Sequence, residues 1–515
     1  MTTPAEVLRR NATTAADKAA VRFEGRTQSH GELYDRAKRL ANALRAQGIT
    51  KGDRVAVAAD NCFETMEIVA GLTLGGYVRC PLYTHDGPER HRYLLELTEP
   101  TAIILQDKYF DALAPVLAEF PATRAVVVLG GEAAAPALDY ATMMSAASDA
   151  EPDVEISLDD AHQIRFSAGT TGLPKGILHT LGAWMAAGDE VLADVSPPLS
   201  DRDCYLAASP LTHAATVPVW PILAAGGTIV VMPNFDAGRF LQLVAEERVT
   251  VTLLVATMVQ MITTHPEATA HDLSSLRAIF YGASPIPETT LIAALRLWGN
   301  VMYQSYGQSE AIPVAALLPE HHVVDGTPEE RRRLRSAGKA TPNSGIRIVD
   351  EDDNILPPGE VGEIVVRSPG RMKEIWRAPD VTAQRLTEDG WVRTRDMGWL
   401  DEDQFLYLAD RKEDLIISGG YNIWPAELEN ALAEHPAVRE AAVVGIPHEK
   451  WVETPHADVV LEDGWAGTVS AQDLIEWTRE RLGSVKKITS VEFVELLPRT
   501  PIGKVLRREI RDRYR

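Results

Sequence analysis

Residues 166–176 combine the residue types that bind a phosphate group. Two threonines lie between glycines in this stretch, and Lys175 follows shortly after them. Glycine allows backbone N–H groups to converge on an anion, while hydroxyls and a lysine supply further donors and positive charge. A Walker A loop is excluded, because Pro174 precedes the lysine and Gly176 follows it. The stretch therefore predicts a phosphate cradle directly after a strand that ends near Phe166.

A second motif, at residues 303–310, suits a metal ion that accompanies phosphate. A hard cation such as Mg²⁺ takes oxygen ligands and is commonly held by one or two carboxylates together with substrate phosphates. Glu310 is the candidate carboxylate. Further motifs of small or polar residues lie at 210–213, 279–285, 390–396 and 498–508.

The motifs occur in the order typical of one family. The phosphate loop resembles the Ser/Thr-Ser-Gly-Thr-Thr-Gly-x-Pro-Lys-Gly signature of the acyl-adenylate-forming (AMP-binding) superfamily, which includes acyl-CoA synthetases, peptide-synthetase adenylation domains and beetle luciferases. Four positions differ from the usual motifs of this family: Ala168 replaces a hydroxyl residue, Ser309 replaces threonine, Arg395 replaces glycine, and Glu413 occupies a position that is more often Asp or Lys. The resemblance extends from about Glu24 to Arg508.

This resemblance assigns roles to residues of the motifs, beginning with ATP. It implies phosphate contacts by Ser167, Thr170, Thr171, Gly172, Lys175 and Ser309. It implies adenine or ribose contacts by Gly282, Ala283, Ser284, Tyr306, Asp396 and Arg411. Asp396 would accept hydrogen bonds from the ribose hydroxyls.

The same resemblance implies an acyl pocket and a moving lysine. The pocket residues are His213, Ala214, Gln304, Ser305, Pro313 and Val314. His213 would gate access to the carboxylate, and Lys504, the single lysine of the terminal signature, would be catalytic. Glu413 matches the hinge position, and Gly419 and Gly420 would line the channel for coenzyme A.

Length and charge restrict the class of protein. A chain of 515 residues is too long for one hydrophobic core, so at least two domains are expected. The net charge of −22 disfavours nucleic acid or an anionic membrane as the main partner. Cys62, Cys80 and Cys204 are too widely spaced for a zinc site and fit a reducing compartment. Because no signal peptide or membrane span is predicted, a cytoplasmic location is expected.

Alternating helix-like and strand-like segments predict an α/β fold. The helical pattern at 31–47 and apolar runs at 54–58, 101–105 and 124–129 indicate mainly parallel sheets flanked by helices. Residues 130–160 are interpreted as a surface connection. Residues 1–410 are expected to form the adenylation domain, and residues 411–515 a small mobile α+β lid.

The predicted function is that of an acid–CoA ligase that uses ATP, Mg²⁺ and coenzyme A. The substrate would be a hydrophobic carboxylic acid (fatty, aryl or polycyclic), although the sequence leaves its identity open. The alternative is an enzyme that loads the acyl group onto a separate acyl carrier protein. A luciferase-like oxidase and a non-catalytic nucleotide-binding protein are more distant alternatives.

Overall fold

The computed structural model describes residues 2–84, 86–131, 136–167, 174–192, 195–284, 286–411, 414–418, 421–448, 451–483, 486–499 and 505–514. Its strands, in chain order, are β1 Ala19–Phe23, β2 Arg26–Ser29, β3 Arg54–Ala58, β4 Val78–Pro81, β5 Ala102–Gln106, β6 Ala125–Leu129, β7 Leu138–Asp139, β8 Ala161–Ser167, β9 Lys175–Thr180, β10 Cys204–Ala207, β11 Thr228–Val231, β12 Val251–Val255, β13 Ala278–Gly282, β14 Met302–Gln308, β15 Ala311–Leu317, β16 Lys339–Ala340, β17 Gly345–Val349, β18 Gly362–Arg367, β19 Glu374–Ile375, β20 Val392–Leu400, β21 Leu406–Arg411, β22 Ile416–Ser418, β23 Tyr421–Ile423, β24 Val438–His448, β25 Val452–Leu461 and β26 Ser490–Phe493.

The helices, in the same order, are α1 Pro4–Thr14, α2 His30–Ala46, α3 Thr65–Leu74, α4 Pro88–Thr98, α5 Phe110–Leu117, α6 Tyr140–Ala146, α7 Leu181–Leu192, α8 Val219–Ala224, α9 Ala237–Glu247, α10 Ala256–Thr263, α11 Glu288–Trp298, α12 Pro328–Arg333, α13 Pro379–Arg385, α14 Pro425–Ala433, α15 Ala471–Leu482 and α16 Arg507–Asp512.

Two large sheets organise the first part of the chain. The first has the strand order β16-β15-β14-β13-β12-β10-β11-β1-β2, and the second has the order β19-β9-β8-β4-β3-β5-β6-β7. The inner strands of both sheets are parallel, and antiparallel pairs occur towards their edges. The expectation of an α/β fold with mainly parallel sheets is therefore confirmed.

Helices cover both large sheets and fill the space between them. Residues of α2 and α3 belong to two core clusters, one shared with the first sheet and the other with the second. Helices α9, α10 and α11 pack on the outer face of the first sheet, and α4 and α5 pack on the second. Each sheet thus buries both of its faces, as parallel sheets require.

Two smaller sheets complete the fold. Strands β17, β18, β20 and β21 form an antiparallel sheet that follows the two large ones. The last sheet contains β22 to β26, with α14 and α15 packed on one core cluster and α16 on another. No helix in the described ranges is long and apolar enough to cross a membrane. The boundary between residues 410 and 411 remains a prediction.

Local sequence signals account for several element ends. Ser29 accepts a hydrogen bond from the backbone of Glu32, whose side chain bonds back to Ser29, and this capping box begins α2. Ser470 caps α15 in the same way with Asp473. The segment 130–160 differs from the prediction, because it contains β7 and α6, and Tyr140 is buried there.

The arginine-rich C-terminal segment is held by carboxylates of the last sheet and its helices. The pairs are Arg499–Glu440, Arg507–Glu429, Arg511–Asp414 and Arg513–Asp458. Neutralised in this way, these arginines anchor α16 on the C-terminal part of the chain. His456, Asp458 and Glu492 lie close enough to share a metal ion, but Arg513 and Tyr514 already bind these two carboxylates.

Candidate active site

The predicted phosphate loop connects two antiparallel strands. Ser167 at the end of β8 and Lys175 at the start of β9 lie opposite each other. The hydroxyl of Tyr83 donates to the carbonyl of Phe166 at 2.8 Å, and that of Tyr93 donates to the carbonyl of Pro174 at 3.0 Å. Both ends of the loop are therefore fixed by side chains from neighbouring elements. The predicted contacts Thr170, Thr171 and Gly172 lie outside the described residues.

Ser309 and Glu310 occupy the turn between β14 and β15. Glu310 is only 7% exposed, and its Oε1 lies 3.3 Å from Nη2 of Arg385 at the end of α13. Its carbonyl accepts a hydrogen bond from the amide of Met372. Carboxylate oxygen is the ligand chemistry that Mg²⁺ prefers, and the arginine contact engages one of the two oxygens. The residue present thus fits a metal ion that is completed by substrate phosphates.

Asp396 on β20 is held by residues of β14. Its Oδ2 accepts hydrogen bonds from the hydroxyl of Tyr306 at 2.7 Å and from Nε2 of Gln308 at 2.6 Å. Arg385 donates to Oε1 of the same Gln308 at 3.2 Å, so one network joins Asp396 to Glu310. Asp396 and Arg411 are opposite residues of β20 and β21. The structure therefore brings together Tyr306, Asp396 and the backbone of Arg411, and their adenine and ribose contacts remain predictions.

Arg395, which replaces the family's usual glycine, has a left-handed backbone conformation. Its φ is +61°, a region that residues with a Cβ seldom adopt. Its amide donates to Oε1 of Glu363 at 3.1 Å. The conformation explains why glycine suits this position. With arginine there, Asp396 still accepts the hydrogen bonds from Tyr306 and Gln308.

The small residues at the end of β13 permit close strand pairing. Gly282 lies opposite Ser305 of β14, and a Cβ added at Gly282 would be 2.2 Å from the Ser305 carbonyl oxygen. Ala283 is exposed with φ +67°, and Ser284 is partly buried. Only a residue without a side chain fits at position 282, so the ends of β13 and β14 can lie close together.

We expect Gly282→Ala to lower both stability and ATP affinity. The added methyl group must push β14 away, and overpacking of this kind costs about 1–3 kcal/mol. Thermal denaturation and ATP calorimetry measure the two effects. The control is Gly238→Ala in α9, where the nearest atoms to the new Cβ would be the ends of the His265 and Asp236 side chains. A lower melting temperature with unchanged ATP affinity would contradict the adenine assignment while preserving the packing argument.

The predicted acyl-pocket residues come from three separate elements. His213 stacks on Tyr83 with 4.3 Å between ring centroids, and its Nδ1 lies 2.8 Å from the Thr212 hydroxyl. Ala214 begins a 3₁₀ turn directly after it. Gln304 and Ser305 lie on β14, whereas Pro313 and Val314 lie on β15. Val314 is fully packed in a core cluster with residues of the third sheet.

Comparison with known families shows to which family this chain belongs. The family described as "AMP-binding enzyme" matches residues 8–376, which is most of the chain. The chain belongs to the AMP-binding enzyme family. Its companion, "AMP-binding enzyme C-terminal domain", matches residues 427–504. The superfamily predicted from the motifs is confirmed, and so is the enzyme class, an AMP-forming ligase of the acyl-CoA synthetase type.

Similar proteins of this family cover almost the whole chain. A feruloyl-CoA synthase from an Amycolatopsis species is 36% identical over 98% of this chain and 98% of its own length. A fatty acid–[acyl-carrier-protein] ligase, ScoC from Streptomyces coeruleorubidus, is 34% identical over 96% of this chain and 93% of its own. The solved structure of the amide bond synthetase McbA from Marinactinospora thermotolerans has a TM-score of 0.88 at 29% identity, covering 99% of this chain and all of that one.

The site of this AMP-binding enzyme contains residues that the motifs did not identify. Arg385 joins Glu310 to Gln308, and Tyr83 supports both the phosphate loop and His213. Neither residue lies in a recognised motif, so only their contacts reveal them. Gln308 lies within a motif, but its sequence position gave no sign of its bond to Asp396.

Several predicted positions of the enzyme fall outside the described residues. These are Lys504, Glu413, Gly419 and Gly420, together with the side chain of Arg411. Their roles as catalytic lysine, hinge, coenzyme A channel and ribose contact remain predictions from the motifs.

Proposed function

We propose that the protein is an ATP-dependent acid–CoA ligase for a hydrophobic carboxylic acid. The observation that carries the proposal is the convergence of the phosphate-loop strands with the Glu310 turn. The backbone amide of Lys373 donates to the Leu178 carbonyl of β9 at 2.8 Å. The amide of the neighbouring Met372 donates to the Glu310 carbonyl, also at 2.8 Å. The backbone of Ser309 also lies beside the ring of His179 on β9.

In the first half-reaction, a carboxylate oxygen of the acid attacks the α-phosphorus of ATP. The bond to pyrophosphate breaks, and an acyl-adenylate remains. Because two anions must meet, the barrier is mainly one of charge and orientation. Ser167, Lys175 and Ser309 would hold the phosphates, and Lys504 would lie between the carboxylate and the α-phosphate. Mg²⁺ held by Glu310 would neutralise phosphate charge.

In the second half-reaction, a thiol attacks the carbonyl carbon of the adenylate. The bond to the AMP oxygen breaks, a thioester forms and AMP leaves. A thiol with a pKa near ~8.5 is partly ionised at neutral pH and is a strong nucleophile, so no protein nucleophile is required. Rotation about Glu413 would withdraw Lys504 and bring Gly419 and Gly420 to the channel of coenzyme A.

The proposed substrate class is a fatty, aryl or polycyclic acid. The small side chain of Ala214, directly after His213, supports a pocket with room for a bulky apolar group. The feruloyl-CoA synthase relative supports an aryl acid, whereas ScoC supports a fatty acid and a carrier protein as the acceptor. Coenzyme A is the proposed acceptor, and loading of a carrier protein is the alternative.

The proposal is tested by measuring pyrophosphate release with ATP and a panel of fatty, benzoic, cinnamic and polycyclic acids. Each reaction is run with and without coenzyme A, and the products are identified by mass. We expect one class of acids to give pyrophosphate, AMP and an acyl-CoA. Pyrophosphate release without an acyl-CoA would support the carrier-protein alternative, and a reaction with added carrier protein would establish it. No release with any acid would contradict the ligase proposal.

A further inference from the structure

Arg165 is a basic residue of β8 that no motif assigns. It lies opposite Ile177 of β9, two positions before Ser167 at the start of the phosphate loop. Its guanidinium carbon lies 5.3 Å from the ring centroid of Trp184 on α7. A guanidinium over an indole ring gains a favourable cation–π interaction. The strand and the tryptophan therefore hold this charge beside the phosphate loop.

The guanidinium of Arg165 lacks a polar partner within the described ranges. Its Nη1 is buried without a hydrogen-bond acceptor, and no carboxylate of the described residues forms an ion pair with it. A buried charged group costs free energy unless it is both paired and hydrogen-bonded. An anion that enters the site would supply the missing acceptor.

Two other interior arginines of this protein have carboxylate partners. Arg385 contacts Glu310, as described above. Arg36 on α2 lies over the ring of Tyr140 much as Arg165 lies over Trp184, but its Nη2 is 2.8 Å from the buried carboxylate of Glu67. Arg36 can therefore be compared with Arg165. Both make a similar aromatic contact, but Arg36 also forms an ion pair with a carboxylate of the protein.

Charged and ionisable groups near Arg165 belong to both halves of the predicted site. Burial lowers the pKa of Arg165, while Tyr83 and Glu310 are the neighbours whose charge opposes that shift. Tyr83 stacks on His213, the predicted gate of the acid, and Glu310 is the predicted metal ligand. The positive charge of Arg165 also acts on the ring of His179, which lies beside Ser309. Arg165 therefore lies within electrostatic range of groups assigned to the acid and of groups assigned to the phosphates.

We propose that Arg165 binds an anionic oxygen of the reactants, either the carboxylate of the acid or a phosphate of ATP. The inference rests on the proposed function and adds a binding residue to its site. A guanidinium presents paired N–H donors that match both carboxylate and phosphate. On binding, the ligand completes the hydrogen bonding of Nη1 and neutralises a charge that has no ion-pair partner among the described residues.

The test compares Arg165→Met and Arg165→Lys with the wild type. Loss of a charged hydrogen bond in Arg165→Met is expected to weaken ligand binding by about tenfold to a hundredfold. Calorimetric titration with ATP alone reports a phosphate contact, and the KM for the acid at saturating ATP reports a carboxylate contact. Arg165→Lys keeps the charge and should retain most of the affinity. The melting temperature of Arg165→Met without ligand should not fall, because an apolar side chain replaces a buried charge.

Arg36→Met is the matched control. It removes the positively charged partner of buried Glu67, so it should lower the melting temperature and leave both binding constants unchanged. Unchanged ATP affinity and acid KM in Arg165→Met would overturn the inference, and so would a loss of melting temperature as large as that of Arg36→Met. A wild-type enzyme that binds ATP but releases no pyrophosphate would count against the proposed function alone. The ATP titration of Arg165→Met would then still show whether Arg165 binds a phosphate.

Discussion

Lys504→Ala should reduce acyl-adenylate formation by about 100- to 1000-fold, the loss typical of removing one group that stabilises transition-state charge. The first half-reaction brings a carboxylate to a phosphate, and the lysine offsets the repulsion between them. In the second half-reaction a thiolate attacks an uncharged carbonyl group, so the lysine is not required there. Thioester formation from a supplied acyl-adenylate and coenzyme A should therefore persist.

The two half-reactions are measured separately, by acid-dependent exchange of pyrophosphate into ATP and by acyl-CoA formation from the synthetic adenylate. Arg508→Ala is the control, since this basic side chain is 62% exposed and pairs only with Asp512 of its own helix in the described contacts. It should retain both activities. Equal loss of both half-reactions in Lys504→Ala would contradict this division of labour and indicate general damage to the C-terminal domain.

The protein should lose stability steeply as the pH falls below about 6.5, the ordinary pKa of histidine. His162 and His179 lie on β8 and β9, and burial lowers the pKa of each ring to about 3. The positive charges of Arg79 and Arg165 act in the same direction. Between these limits the unfolded chain binds a proton on each ring that the folded chain does not bind. The free energy of unfolding therefore decreases as the pH is lowered through this window.

The slope is about 1.4 kcal/mol per pH unit for each ring, so the loss at pH 5 is about 2 kcal/mol per histidine. Denaturant unfolding followed by fluorescence from pH 7.5 to pH 5 measures it. His162→Gln and His179→Gln should each flatten the dependence, and the double variant should flatten it further. If the double variant keeps the wild-type slope, these two rings are not its cause.

The phosphate hairpin illustrates what short sequence patterns encode. The alternation before residue 167 and the glycines after it specify a strand followed by a turn, and the structure places Ser167 opposite Lys175. Similarly, a capping box begins α2 close to the predicted residue 31. Such features depend on backbone geometry and near neighbours, so a local reading of the sequence suffices.

The network around Asp396 lies beyond such a reading. Its hydrogen bonds join residues far apart in sequence: Arg385 to Gln308 and Gln308 to Asp396 span 77 and 88 positions. Which arginine meets which carboxylate depends on how β14, β20 and α13 approach one another. The pairing of the C-terminal arginines with Glu440, Glu429, Asp414 and Asp458 has the same origin.

The sequence by itself determined the family and the α/β class, because these are carried by ordered motifs and by the periodicity of apolar positions. The residues that would face ATP are predicted from the same motifs. Tertiary structure alone decided the layering of the sheets, the contact between Arg385 and Glu310, and the absence of a described partner for Arg165. The physical reason is that a hydrogen bond or ion pair depends on ångström-scale distances, and those distances are set only when separate elements pack together.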